Sequence, residues 1–214
     1  MTLRLRPEIQ RQVDEGIRIL REGGIIAYPT DTVYGLGASM SKLAAVARVF
    51  RVKKRPLDMA LPLLVATISQ VEELADRVTP IARQLIKRFL PGALTLVLPA
   101  SPAVPATVTA GGSTVAVRIP DHPVPLALIA GTGAPLVGTS ANVSGQPSPL
   151  TAAAVRSQLA GEVDLVIDED GCCKGTESTI IDLTGEVPVV LREGSISLQV
   201  LQQVCGTDLV NKAG

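Results

Sequence analysis

The stretch 23–37, GGIIAYPTDTVYGLG, decides how the rest of the chain is read. Its apolar run at 25–28 predicts a short buried strand. Pro29 ends that run and opens a polar turn carrying Thr30, Asp31 and Thr32, with Tyr34, Gly35 and Gly37 close behind. A rigid strand that empties into small hydroxyls holds binding groups at a sheet edge. The two glycines would equally serve a plain strand-to-helix connection by supplying positive φ, so this stretch alone leaves binding and connection both open.

Upstream, Pro7 opens a helix whose apolar stripe, Ile9, Val13, Ile17 and Leu20, runs to the stop at Gly23-Gly24. Downstream, Ser41 is placed to cap a helix over 42–52, with Leu43, Val46, Val49 and Phe50 inward. That helix ends in Arg48, Arg51, Lys53, Lys54 and Arg55, where cations suit the helix dipole, and Pro56 forbids continuation. A strand follows at 61–66, then Ser69 and Glu72 in capping-box spacing, then a helix opened by Thr79-Pro80 with Ile81, Leu85 and Phe89 inward. Apolar strands are expected at 94–98 and 114–119, a short helix at 123–131, and a strand at 136–138 that empties into a second small-polar turn, TSANVSG at 139–145. Further strands are read at 165–167, from Ser178-Thr179 to Asp182, and at 187–191, the last delivering Arg192, before a helix around Ile196, Leu198, Leu201 and Val204.

Continuous apolar strands between helices predict an α+β fold of α/β-like character, a mixed sheet covered by helices. At 214 residues the chain suits one domain over 1–214, with 206–214 as a frayed tail.

Lys and Arg total 20 against 20 Asp and Glu, so no overall field draws the chain to nucleic acid or membrane. Aromatics at 2 % and no Trp argue against a base-stacking platform. Two uncharged stretches, 89–117 and 123–155, are broken by prolines and read as buried strands and loops rather than membrane spans. The N-terminal residues lack the apolar core of a signal peptide. Three cysteines, with Cys172 and Cys173 adjacent, form neither a disulfide framework nor a zinc spacing, which fits small loop hydrophobes in a reducing cytoplasm. No P-loop and no complete dinucleotide fingerprint is present, and the single histidine, His122, leaves hydrolytic triads and histidine-rich metal sites improbable.

What remains is a set of isolated cations and hydroxyls at strand ends: Thr32, Lys53, Arg55, Arg118, Ser140, Asn142, Ser178 and Arg192. Brought together, they suit a polyanion plus a small polar ligand, because guanidinium and ammonium groups match phosphate oxygens. Arg118 is the sharpest of them. A lone cation inside an apolar strand needs a buried carboxylate or an anionic ligand.

Seven blocks carry a resemblance: YPTDTVYGLGA at 28–38, KKRP at 53–56, PGALTLVL at 91–98, VAVRIPDHP at 115–123, GTSANVSGQPSP at 138–149, ESTIIDL at 177–183 and LREGSI at 191–196. In this order they resemble the YrdC/TsaC family of threonylcarbamoyl-AMP synthases, in its short single-domain form. The resemblance implies a YrdC/RibB-type twisted mixed sheet with flanking helices around a concave basic face. It implies a nucleotidyltransferase that joins L-threonine, bicarbonate and ATP into threonylcarbamoyl-AMP and pyrophosphate, for threonylcarbamoyladenosine modification of tRNA. Carried over by position, the K-x-R and S-x-N tetrad falls on Lys53, Arg55, Ser140 and Asn142 as catalytic residues. Thr32, Arg118, Ser140 and Ser178 fall on threonine, and Arg55, Thr114, Asn142 and Arg192 on ATP. Mg2+ is expected with the ATP, with no protein ligand cluster for it. Expected partners are tRNA or double-stranded RNA on the basic face and the proteins that transfer the threonylcarbamoyl group. The chain departs from longer members at Met59, Leu64 and Leu150, where those often carry Asn, His and Thr. The rival readings are a non-catalytic RNA-binding accessory protein and a YciO-like paralogue.

Overall fold

The computed structural model describes residues 5–159, 161–169 and 173–212; Cys172 lies outside them. One mixed sheet of ten strands runs through the described residues. Its strands are β1 Ile26–Tyr28, β2 Gly35–Ser39, β3 Leu63–Leu64, β4 Leu94–Pro99, β5 Thr114–Arg118, β6 Leu136–Ser140, β7 Leu165–Val166, β8 Thr179–Asp182, β9 Val189–Arg192 and β10 Val210–Asn211. They lie in the order β10-β9-β8-β4-β5-β3-β6-β2-β1-β7. The helices are α1 Pro7–Glu22, α2 Leu43–Lys53, α3 Ile68–Leu74, α4 Pro80–Phe89, α5 Ala106–Thr109, α6 Pro123–Thr132, α7 Ala152–Leu159 and α8 Leu198–Cys205. None is long and apolar enough to cross a membrane among the described residues.

Strand alternation divides the core in two. Ile25, Ala27, Leu63 and Val137 join a large cluster with residues of α2, α3, α4, α7 and α8. Their neighbours Ile26, Tyr28, Leu64 and Leu136 point the other way, into a smaller cluster built from α1 and α6. Burying Ile9, Val13 and Leu20 of α1 contributes roughly 1.5–3 kcal/mol each. Among the described residues, only α1 and α6 furnish helix residues to that second cluster, and the functional site forms on a part of this sheet face that lines a cleft.

The helix ends explain two differences from the sequence expectation. Ser41 does not cap α2; its hydroxyl pairs with Ser39 Oγ, and Leu43 is exposed. Thr67, not Ser69, caps α3 by accepting from Gln70 N, while Glu72 pairs with Arg83 instead of closing a capping box. Thr79 caps α4 as its sequence predicts. The stretch 206–214, read as a tail, contributes β10, which pairs in parallel with β9.

The glycines of the opening stretch have a different cause from positive φ. Gly35 and Gly37 lie in β2, antiparallel to β1, and neither has positive φ. A Cβ on Gly37 would sit 2.6 Å from Val137 O and 2.8 Å from the Tyr28 hydroxyl. The Tyr28 ring lies across the β2 backbone, and only glycine leaves it room.

Candidate active site

Residues that alternate with the large core cluster form the cleft floor: Thr95 and Val97 on β4, Ala116 and Arg118 on β5, Leu64 on β3, Gly138 and Ser140 on β6, Ile180 on β8. The cleft has a volume of about 790 Å³ and its rim comes from the loops after β1, α2 and β6 and from the segment around β8 and β9. Eight of the nine residues singled out by sequence line it: Thr32, Lys53, Arg55, Arg118, Ser140, Asn142, Ser178 and Arg192. Thr114 does not. It lies at the far end of β5, opposite Pro99, four residues from Arg118, roughly 13 Å along an extended strand.

Of the two partners that its sequence position admits, a buried carboxylate or an anionic ligand, Arg118 has the carboxylate. Nη2 donates to Asp31 Oδ1 at 2.5 Å, Nη1 to Thr32 Oγ1 at 2.9 Å and Nε to Gly92 O at 2.9 Å. Asp31 Oδ1 also accepts from the backbone of Asp121. Burial disfavours the Arg118 charge, and Asp31 opposes that effect. The turn presenting Thr32 is stiffened by Thr30, whose hydroxyl donates to Val33 O and accepts from Thr32 N.

Lys53 is turned inward at the end of α2. It is 2 % exposed, and Nζ donates to Ser140 O at 2.5 Å, Asn142 O at 2.8 Å and Asn142 Oδ1 at 3.1 Å. All three of an ammonium's protons are thereby committed to the S-x-N loop. Burial, and secondly the nearby Arg55, push its pKa down to about 8, with Glu177 opposing. Its protons hold the loop. Ser140 Oγ donates to Asn142 Oδ1 at 2.5 Å and Asn142 Nδ2 donates to Gln146 O at 2.6 Å, which fixes the same loop from within.

Arg55 reaches the cleft from the segment after α2. Nε donates to Met59 O at 3.1 Å and Nη2 to Ala60 O at 2.8 Å. Met59 thus serves through its backbone, so the change of side chain at this position leaves that contact intact. Leu64 puts an aliphatic group on the floor, and Leu150 is exposed.

On the opposite wall Ser178 Oγ shares a 2.8 Å hydrogen bond with Thr95 Oγ1. Arg192 donates through Nε and Nη2 to Ser178 O, through Nη2 to Ser178 Oγ and through Nη1 to Glu177 Oε2. Gly194 permits this approach, since a Cβ there would meet the backbone of Ser178 at 2.7 Å. Glu177 is the only carboxylate among the described residues lining the cleft. Sequence reading passed over Asp31 as a partner, Thr95 and Glu177. Thr95 was findable as the hydroxyl on the otherwise apolar cleft face of β4, and Glu177 as the charge immediately preceding Ser178.

The arrangement offers cations from Lys54, Arg55, Arg118 and Arg192 around a floor of short hydroxyls. Such a set suits phosphate oxygens and, beside them, a small polar molecule.

Comparison with known proteins shows the family. The Sua5/YciO/YrdC family model, described as "Telomere recombination", matches residues 18–194. A threonylcarbamoyl-AMP synthase of Bacillus subtilis (strain 168) is 43 % identical over 202 residues, covering 94 % of this chain but 58 % of its own length. A shorter relative from Mycobacterium tuberculosis (strain CDC 1551 / Oshkosh) is 37 % identical over 204 residues, 95 % of this chain and 94 % of its own. The crystal structure of Pyrococcus abyssi Sua5 complexed with L-threonine superposes with a TM-score of 0.91 at 42 % identity, covering 97 % of this chain and 61 % of that one. The chain therefore spans little more than half the length of the Bacillus relative.

Proposed function

The chain belongs to the Sua5/YciO/YrdC family, and from that premise we propose that it is an L-threonylcarbamoyladenylate synthase, joining L-threonine, bicarbonate and ATP and releasing pyrophosphate. The observation that carries this reading is the convergence of eight separately encoded residues on one cleft, cations and short hydroxyls together. A non-catalytic RNA-binding protein has no use for hydroxyls paired on a buried floor.

Threonine belongs on that floor. Arg118 spends three of its five N–H groups on Gly92, Thr32 and Asp31, which leaves two for a carboxylate. Thr32 and Ser178 are short enough to bond a small amino acid closely. The amine adds to bicarbonate with loss of water, and a carbamate oxygen then attacks the α-phosphorus as the bond to pyrophosphate breaks. Arg55 and Arg192 meet the charge gathering on the phosphates, while Lys53 keeps Ser140 and Asn142 in register from behind. Thr114, at the other end of β5, lies outside the cleft lining.

Magnesium expected with ATP finds no protein-built site: among the described residues no group of three His, Cys, Asp or Glu could hold a metal, and Glu177 alone faces the cleft. The ion's place is on the triphosphate itself. The exposed Arg51 and Lys54, beside Arg48 in an adjoining groove, are where a tRNA backbone would add contacts. Mass-spectrometric detection of threonylcarbamoyl-AMP after incubation with all three substrates tests the reading. Absence of product from folded protein contradicts it.

A further inference from the structure

The loop entering β8 and the loop leaving β6 begin on strands separated by β3, β5 and β4. That is four inter-strand steps, roughly 19 Å at the usual spacing of about 4.8 Å. The loops nevertheless meet: Ser148 Oγ donates to Glu177 Oε1 at 2.5 Å. The second carboxylate oxygen accepts from Arg192 Nη1. Glu177 therefore ties one rim of the cleft to the other while resting on a cation that faces into it.

Arg192 does not depend on Glu177 for its aim. Nε and Nη2 are both anchored on Ser178, at 3.1 Å and 2.9 Å from its carbonyl oxygen and, for Nη2, 3.2 Å from its hydroxyl. What Glu177 adds is a negative charge on Nη1, the donor that these anchors leave over. A carboxylate and a phosphate oxygen compete for the same guanidinium edge. Both partners of the pair are about two-fifths or one-third exposed, so water and ligand reach them and exchange is unobstructed.

We propose that Glu177 is an internal stand-in for substrate phosphate: it holds Arg192 Nη1 in the unliganded protein, the nucleotide's phosphates displace it, and its tie to Ser148 is released as the site fills. Glu177 thereby sets the affinity for the nucleotide and for departing pyrophosphate without touching the reacting atoms. The proposal rests on the nucleotide reading of the cleft.

Isothermal titration of wild type, Glu177→Gln, Glu177→Asp and Arg192→Ala with inorganic pyrophosphate and with a non-hydrolysable ATP analogue decides it. Glu177→Gln, which keeps the shape and removes the charge, should bind pyrophosphate roughly three- to tenfold more tightly. KM for ATP should fall with it, and kcat should fall too as pyrophosphate leaves more slowly. Glu177→Asp, with the charge retained, should stay near wild type. Arg192→Ala should weaken both ligands. Weaker or unchanged pyrophosphate binding by a folded Glu177→Gln overturns the proposal, since it makes Glu177 a prop for Arg192 or a bystander. Failure of folded wild type to bind either ligand would instead overturn the nucleotide reading, and the proposal with it.

Discussion

Arg118 Nη2 lies 2.5 Å from Asp31 Oδ1, two opposite charges almost wholly shut off from solvent at the cleft floor. Removing one of them strands the other. Asp31→Asn should destabilise the fold by about 3–5 kcal/mol, the cost of an uncompensated buried charge. It should also raise the threonine requirement, because Arg118 would swing from Thr32. A denaturant midpoint equal to wild type would show that the pair contributes nothing to the fold.

Arg55→Lys should lose most activity although the charge is kept. The guanidinium spans Met59 O and Ala60 O with two different nitrogens and still has N–H groups for a ligand; a single ammonium cannot reproduce that fork. Near wild-type turnover would remove Arg55 from the mechanism.

Lys53 makes activity sensitive to alkaline pH. With its pKa pushed down to about 8, Nζ loses a proton as pH rises through that value, and one of its three loop acceptors goes without a donor. Rate should fall above about pH 8. The fold should not weaken in step: the unfolded chain holds this proton up to about 10.5, so between the two values it binds more protons than the folded state and stability from this group rises with pH. A rate profile measured beside a thermal unfolding profile separates the two effects, and loss of both together would contradict the assignment.

Thr32→Val should raise the threonine KM roughly 2- to 10-fold, the equivalent of about 0.5–1.5 kcal/mol for one neutral hydrogen bond, and leave ATP affinity nearly unchanged. Ser178→Ala should be less selective than its sequence suggests, since Ser178 Oγ accepts from Arg192 as well as pairing with Thr95. Titration of each variant with an ATP analogue beside threonine-dependent rates gives the comparison. Equal weakening of both ligands by Thr32→Val would assign the hydroxyl to the shared framework.

Arg118 was legible because it breaks an apolar run, where a polar group must answer to a partner or a ligand. Thr32 and Ser178 were legible as small hydroxyls in polar segments beside apolar strands, and Arg192 as the charge that ends one. The need for a carboxylate or an anionic ligand at Arg118 was legible too; that it is Asp31 was not, since Asp31 lies 87 residues away and only the strand order brings it near. The same limit hid the inward turn of Lys53, which depends on β6 delivering its loop across from α2. Gly35 and Gly37 show a different failure. Their smallness reads locally as a turn, whereas it answers a ring on the neighbouring strand.

The most direct test is pyrophosphate release by the purified protein with ATP alone, with each pair of substrates, and with ATP, L-threonine and bicarbonate together. The account predicts release that requires all three and falls to background when any one is omitted. Release from ATP alone, or none from folded protein with all three present, would contradict it.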